Sequence, residues 1–283
     1  MTPDNGTHQA PDGTVYTVQG PTYRSDIEWI VLIHGVGMQH GVWAPQIEAL
    51  SSSHAVLAYD MLGHGGSPMP PECVNLSDYA AQLLGLMDHL GIAAANVVGH
   101  SMGALIAIEF ALTHATRTLR LAALNAVFKR TPEQRSAVHS RAAELHRLGT
   151  QATIGSTIAR WFGDPVPDAL QQAATSIAGY LRDIQPEGYA RTYDLFASSD
   201  EKHAGQLHRL CMPTLFLTGE YDANSSPEMS CAMGREARHA IVEIIPGERH
   251  MMTVTAPKAV NYSLSRWLGT STQNTLNLRG SSD

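Results

Sequence analysis

The sequence predicts an α/β fold: a mostly parallel sheet flanked by helices, interrupted by a helical insertion. Three observations carry this. Short apolar runs recur, each closed by glycine or polar turn residues, and helix-period segments stand between them. That alternation holds to residue 127, fails over 128–210, and resumes from 211 to 269. Strand, helix, strand in this order implies parallel pairing with both sheet faces covered.

Trp29–Ile33 is a buried-strand run closed by His34-Gly35-Val36-Gly37. Trp43, Ile47 and Leu50 recur at i, i+4, i+7, predicting a helix over 43–52 with Pro45 in its first turn. Ala55–Tyr59 is the next strand, ended by a turn bearing Gly63, Gly65 and Gly66. Ser77 is the expected N-cap of a helix with apolar face Tyr79, Leu83, Met87 and Leu90, stopped at Gly91. Strands over 96–99 and 119–124 enclose a helix from Met102 to His114 that is apolar on most sides. In the insertion, 132–148 is helical, with Val138, Ala142, Leu145 and Leu148 on one side. Strands 214–218 and 241–245 alternate with helices 227–238 and 256–268. The expected division is a core of 1–127 and 211–269, a helical cap over 128–210, and a flexible Ser/Thr/Asn-rich tail over 270–283.

Composition narrows the function. Of 283 residues 43% are hydrophobic, ample for a core, and the net charge of −7 lacks the basic excess a nucleic-acid binder needs. No apolar run approaches the ~20 residues of a membrane span. Met1–Pro11 carries no signal-peptide pattern. Three widely spaced cysteines without a CxxC fit neither a disulfide scaffold nor a zinc knuckle. The expectation is a cytoplasmic protein acting on a small molecule, with no nucleic-acid or membrane partner. Its oligomeric state is not encoded legibly.

Gly99-His100-Ser101-Met102-Gly103 lies where a strand ends and a helix begins. In a G-x-S-x-G turn the serine takes a strained backbone conformation, and flanking side chains would clash. A serine hydroxyl needs a base, and the base needs an orienting carboxylate. Gly219-Glu220-Tyr221-Asp222 follows one later strand and Gly247-Glu248-Arg249-His250 the next. The order Ser101, Asp222, His250 suits this elbow. Glu220 competes with Asp222 but is placed less deeply in its loop. Asn125 ends the preceding strand, and its amide cannot serve as the acid. Backbone N–H groups of Val36 and Met102 are the expected oxyanion donors, with Gly37 second to Val36. Gly35-Val-Gly37 lacks the third glycine of a dinucleotide fingerprint. Met38, His40 and Met251 are candidate pocket residues; the methionines serve equally as core filler, and His40 as a surface residue. Arg130, Arg160, Arg182 and Arg191 of the insertion suit either a substrate carboxylate or solvated helix faces.

These stretches, with Asp60-Met-Leu-Gly-His-Gly-Gly-Ser67, resemble the α/β-hydrolase superfamily in its capped form over about residues 14–269. The resemblance implies Ser101 as nucleophile, His250 as base, Asp222 as its partner, a cap after the sixth strand, and no cofactor or metal. Epoxide hydrolases and haloalkane dehalogenases carry aspartate at the elbow, so Ser101 points elsewhere. The carbon–carbon hydrolases of meta-cleavage products usually carry Asn, Gly and Trp where this chain has His100, Ala104 and Met251. Ser-Met-Gly also occurs in enol-lactonases and cofactor-free haloperoxidases. The expected reaction is ester or lactone hydrolysis through an acyl-enzyme. The alternatives are carbon–carbon cleavage, acyl transfer or perhydrolysis, and a receptor that binds without turnover.

Overall fold

The computed structural model describes residues 6–22 and 26–272. Eight strands form one sheet: β1 (Thr7–Gln9), β2 (Val15–Gln19), β3 (Trp29–Ile33), β4 (Ala55–Tyr59), β5 (Ala95–His100), β6 (Thr118–Leu124), β7 (Thr214–Gly219) and β8 (Ala240–Ile245). Their order is β1-β2-β4-β3-β5-β6-β7-β8. The pairs from β4 to β8 are parallel, while β1 and β2 join antiparallel at one edge. The parallel strands match the apolar runs because helices cover both faces, and β4 through β7 are buried along their whole length. The edge hairpin is half exposed, and the apolar runs do not predict it.

The helices outside the insertion are α1 (Ala44–Leu50), α2 (Leu76–His89), α3 (Met102–Thr113), α8 (Pro227–Glu236), α9 (Met252–Thr255) and α10 (Pro257–Leu268). α3 packs against β5, β6 and α2, so it is apolar all round and buried from Met102 to Ile108. Asn75, not Ser77, caps α2. Its side chain accepts from the Ser77 N–H at 3.0 Å, and Asp78 accepts from the Asn75 N–H at 2.8 Å. This reciprocal capping box satisfies two otherwise orphaned donors, which Ser77 at the first turn cannot do.

Four α-helices stand between β6 and β7: α4 (Pro132–Leu148), α5 (Thr150–Phe162), α6 (Gln171–Asp183) and α7 (Pro186–Ser198). α4 buries Val138, Ala142 and Leu145, whereas Leu148, expected on the same side, is exposed where the helix ends. Buried Arg130 fastens the start of the segment, donating to the Phe196 and Ala197 carbonyls and pairing with Asp200. Of the tail expected over 270–283, residues 273–283 lie outside the described residues. Among the described residues no helix is long and apolar enough to cross a membrane.

Candidate active site

The carboxyl ends of β3, β5, β7 and β8 deliver four loops to one edge of the sheet, beside the point where β4 and β5 flank β3. Ser101 follows β5 with φ 57° and ψ −116°, a left-handed conformation held by its surroundings. A Cβ at Gly99 would stand 2.0 Å from the Gly103 carbonyl oxygen, and one at Gly103 would stand 2.2 Å from that of Ile33. Both flanking glycines are therefore required by backbone contact.

His250 follows β8, and its Nε2 lies 3.1 Å from Ser101 Oγ. Its Nδ1 lies 2.8 Å from Asp222 Oδ2, after β7. With Nδ1–H donating to the carboxylate, Nε2 is free to accept the serine proton. All three side chains are buried. Burial pushes the Asp222 carboxyl up, but the His250 charge and hydrogen bonds from His250, Asn125 and the Asn224 N–H outweigh it, leaving it below the ordinary value. Asp222 stays ionised. Glu220 instead accepts from the exposed Gly247 N–H. Asn125, which cannot be the acid, has a different part: it donates from Nδ2 to Asp222 Oδ2 at 2.7 Å. It thereby helps fix the carboxylate that orients His250.

Gly37 is corrected. Its N–H donates to His64 Nε2 at 3.0 Å and is not available to an oxyanion. Val36 lines the same narrow cavity as Ser101, walled also by Met38, His100, Trp161 and Met251. Met102 opens α3, so its N–H has no partner within the helix and adds the helix-dipole field beside Ser101. His40 is corrected as well. Its backbone N–H and Nδ1–H both donate to Asp60 Oδ1, at 2.7 and 2.8 Å, and it does not line the cavity. It anchors the loop that carries Val36.

Two more buried imidazoles hold that loop. His34 Nδ1–H donates to the Gly35 carbonyl while Nε2 accepts the Met61 N–H. His64 does likewise between the Leu62 carbonyl and the Gly37 N–H. Beneath the elbow, His100 donates to the His250 carbonyl at 2.8 Å. Burial pushes His34 down to about 4 and His64 and His100 down to about 3, with neighbouring imidazoles adding to the shift. Unfolded imidazoles titrate near 6.5, so below that pH the unfolded chain binds more protons and stability falls as pH falls toward 4. At ~1 kcal/mol per histidine per pH unit, the urea midpoint is expected to drop sharply between pH 7 and pH 5. A midpoint unchanged over that range would mean these rings are not held neutral.

Trp161, from α5, stacks on His250 with ring centroids 5.8 Å apart. Sequence periodicity gave no sign of this, because it does not say which insertion helix crosses the elbow.

A family model for the alpha/beta hydrolase fold matches residues 28–257. The chain is 37% identical over 243 residues to the (E)-2-((N-methylformamido)methylene)succinate hydrolase of Acinetobacter baylyi, covering 86% of this chain and 91% of that one. It is 31% identical to 3-oxoadipate enol-lactonase 1 of the same organism, over 68% of this chain and 71% of the other. Among solved structures, the enol-lactonase of Burkholderia xenovorans superposes with a TM-score of 0.84 at 26% identity, covering 94% of this chain and all of the other. With the family model spanning most of its length and these relatives aligned along it, the chain belongs to the α/β-hydrolase fold family and is a hydrolytic enzyme.

Proposed function

We propose that the protein hydrolyses a carboxylic ester or lactone of a small organic acid through an acyl-enzyme on Ser101. The observation that carries this is the buried row from Ser101 Oγ to His250 to Asp222, at 3.1 and 2.8 Å. Ser101 Oγ attacks the carbonyl carbon as its proton passes to His250 Nε2. The oxygen that gains charge sits between the Val36 and Met102 N–H groups. Collapse breaks the bond to the alcohol or enol oxygen, which takes the proton from His250. Water, losing a proton to the same nitrogen, then attacks the acyl carbon and returns the serine. Asp222 stabilises the imidazolium in both halves, and Asn125 keeps its carboxylate aligned.

The enol-lactonase relatives support the lactone form of this reading. The succinate hydrolase relative is named for an N-methylformamido substrate rather than an ester or lactone, so a second reading, carbon–carbon hydrolysis of a dienone acid at the same serine, stands beside the first. A cytoplasmic setting belongs to the same proposal. The test is covalent labelling of Ser101 by a fluorophosphonate, followed by rates on a 4-nitrophenyl ester, an enol-lactone and a dienone acid. Labelling with turnover of ester or lactone is expected. Unlabelled Ser101 would overturn the mechanism, and turnover of the dienone acid alone would transfer the assignment to carbon–carbon cleavage.

A further inference from the structure

The four insertion arginines named from the sequence, Arg130, Arg160, Arg182 and Arg191, do not share one fate. Arg130 is paired with Asp200, Arg191 with Glu187 and the Pro70 carbonyl, and Arg182 is exposed. Arg160 on α5 is different. Its Nε is buried without a hydrogen-bond partner, and its Nη2 reaches only Thr157 Oγ1, at 3.4 Å. Among the described residues no carboxylate stands within 4.0 Å of it, nor of Arg141 on α4, whose Nε donates to the Tyr193 hydroxyl at 3.2 Å. The two guanidiniums line one narrow cleft with Thr153, Thr157, Tyr189 and Tyr193, and the exposed residue Glu144 lines it too.

Two unneutralised arginines beside a buried donor form an unstable arrangement unless an anion completes it. Burial lowers the Arg160 guanidinium from its ordinary value, and the Arg141 charge acts in the same direction. The cavity adjoins the elbow. Arg160 is followed on α5 by Trp161, which lies on His250, and Tyr189 walls the arginine cavity while its ring edge overlies Gly37. Trp161 and Tyr189, both beside Gly37, thus connect the surroundings of Ser101 with those of the arginines.

We propose that Arg160 and Arg141 form a carboxylate subsite, so that the ester or lactone cleaved at Ser101 carries a free carboxylate away from the scissile bond. The planar fork of Arg160, with Nε and one Nη directed to the anion, suits a carboxylate better than a neutral polar end. This inference rests on the serine-hydrolase reading for the reaction, but not for the binding.

The test compares 4-nitrophenyl hydrogen glutarate and hydrogen adipate with their neutral isosteres, the 5-methylhexanoate and 6-methylheptanoate. At least one acid ester is expected to exceed its isostere about ten-fold or more in kcat/KM. Arg160→Met is expected to bring that ratio to about one, and Arg141→Met to reduce it. Arg182→Met, on the exposed face of α6, is expected to keep it. The ratio is internal to each variant, so a general loss of activity does not mimic the effect. Thermal melting of Ser101→Ala with glutarate and adipate needs no turnover; a rise in Tm that is absent in Ser101→Ala/Arg160→Met is expected. No preference in the native enzyme, or a preference that survives Arg160→Met, would overturn the subsite and leave the serine mechanism standing. Glutarate or adipate binding with Ser101 unlabelled by fluorophosphonate would do the reverse.

Discussion

Ser101→Ala is expected to lower ester turnover by on the order of 10⁴-fold or more while the protein remains folded. The loss corresponds to ~5 kcal/mol of transition-state stabilisation. In the proposed mechanism it is large because the serine, imidazole and carboxylate act as one unit: without Oγ no acyl-enzyme forms, however well the amides of Val36 and Met102 are placed. The hydroxyl makes its contact with His250 at 3.1 Å, and alanine fits the same backbone. Steady-state rates on a 4-nitrophenyl ester, with Tm measured in parallel, check both halves. Near-native turnover in the variant would remove Ser101 from the chemistry.

Gly103→Ala is expected to be severely damaging, at about 3 kcal/mol or more of stability. The new Cβ would lie 2.2 Å from the Ile33 carbonyl oxygen and 2.5 Å from that of His34. Both are backbone atoms at the end of a central strand, so no side-chain rotation relieves the clash. Gly85, on α2 with nothing within 4 Å of a built Cβ, supplies the contrast. There alanine is expected to raise stability by about 0.5–1 kcal/mol through helix propensity. Urea midpoints of the two variants should move in opposite directions, and a harmless Gly103→Ala would contradict the close approach of α3 to β3.

The parallel strands were legible because a strand covered on both faces has to be continuously apolar, and Ile30–Ile33 and Ala55–Tyr59 are. The antiparallel edge pair escaped because Val15–Gln19 covers little core and leaves a half-exposed pattern. The meeting of Ser101, Asp222 and His250 was legible through chain order, since each falls just past a strand and parallel strands bring those ends together. Gly37 and His40 were misjudged for a common reason. Their loop is next to Ser101 in space, but what its groups bond to comes from His64 and Asp60, on a loop some twenty or more residues away in the chain. Spacing along one segment does not reveal a partner that another segment supplies. Arg160 could be named among four arginines, yet only the fold shows that the other three are paired or exposed.

The indole of Trp161 belongs to the insertion but rests on the base of the catalytic row. Lifting α5 to admit a molecule would strip cover from His250 and withdraw Arg160 at the same moment, since both side chains leave with one helix turn. Admission, drying of the imidazole and capture of a charged end would then be a single movement rather than three. A neutral compound gains nothing from the last part of that movement, so selectivity should reside in how completely the cover returns.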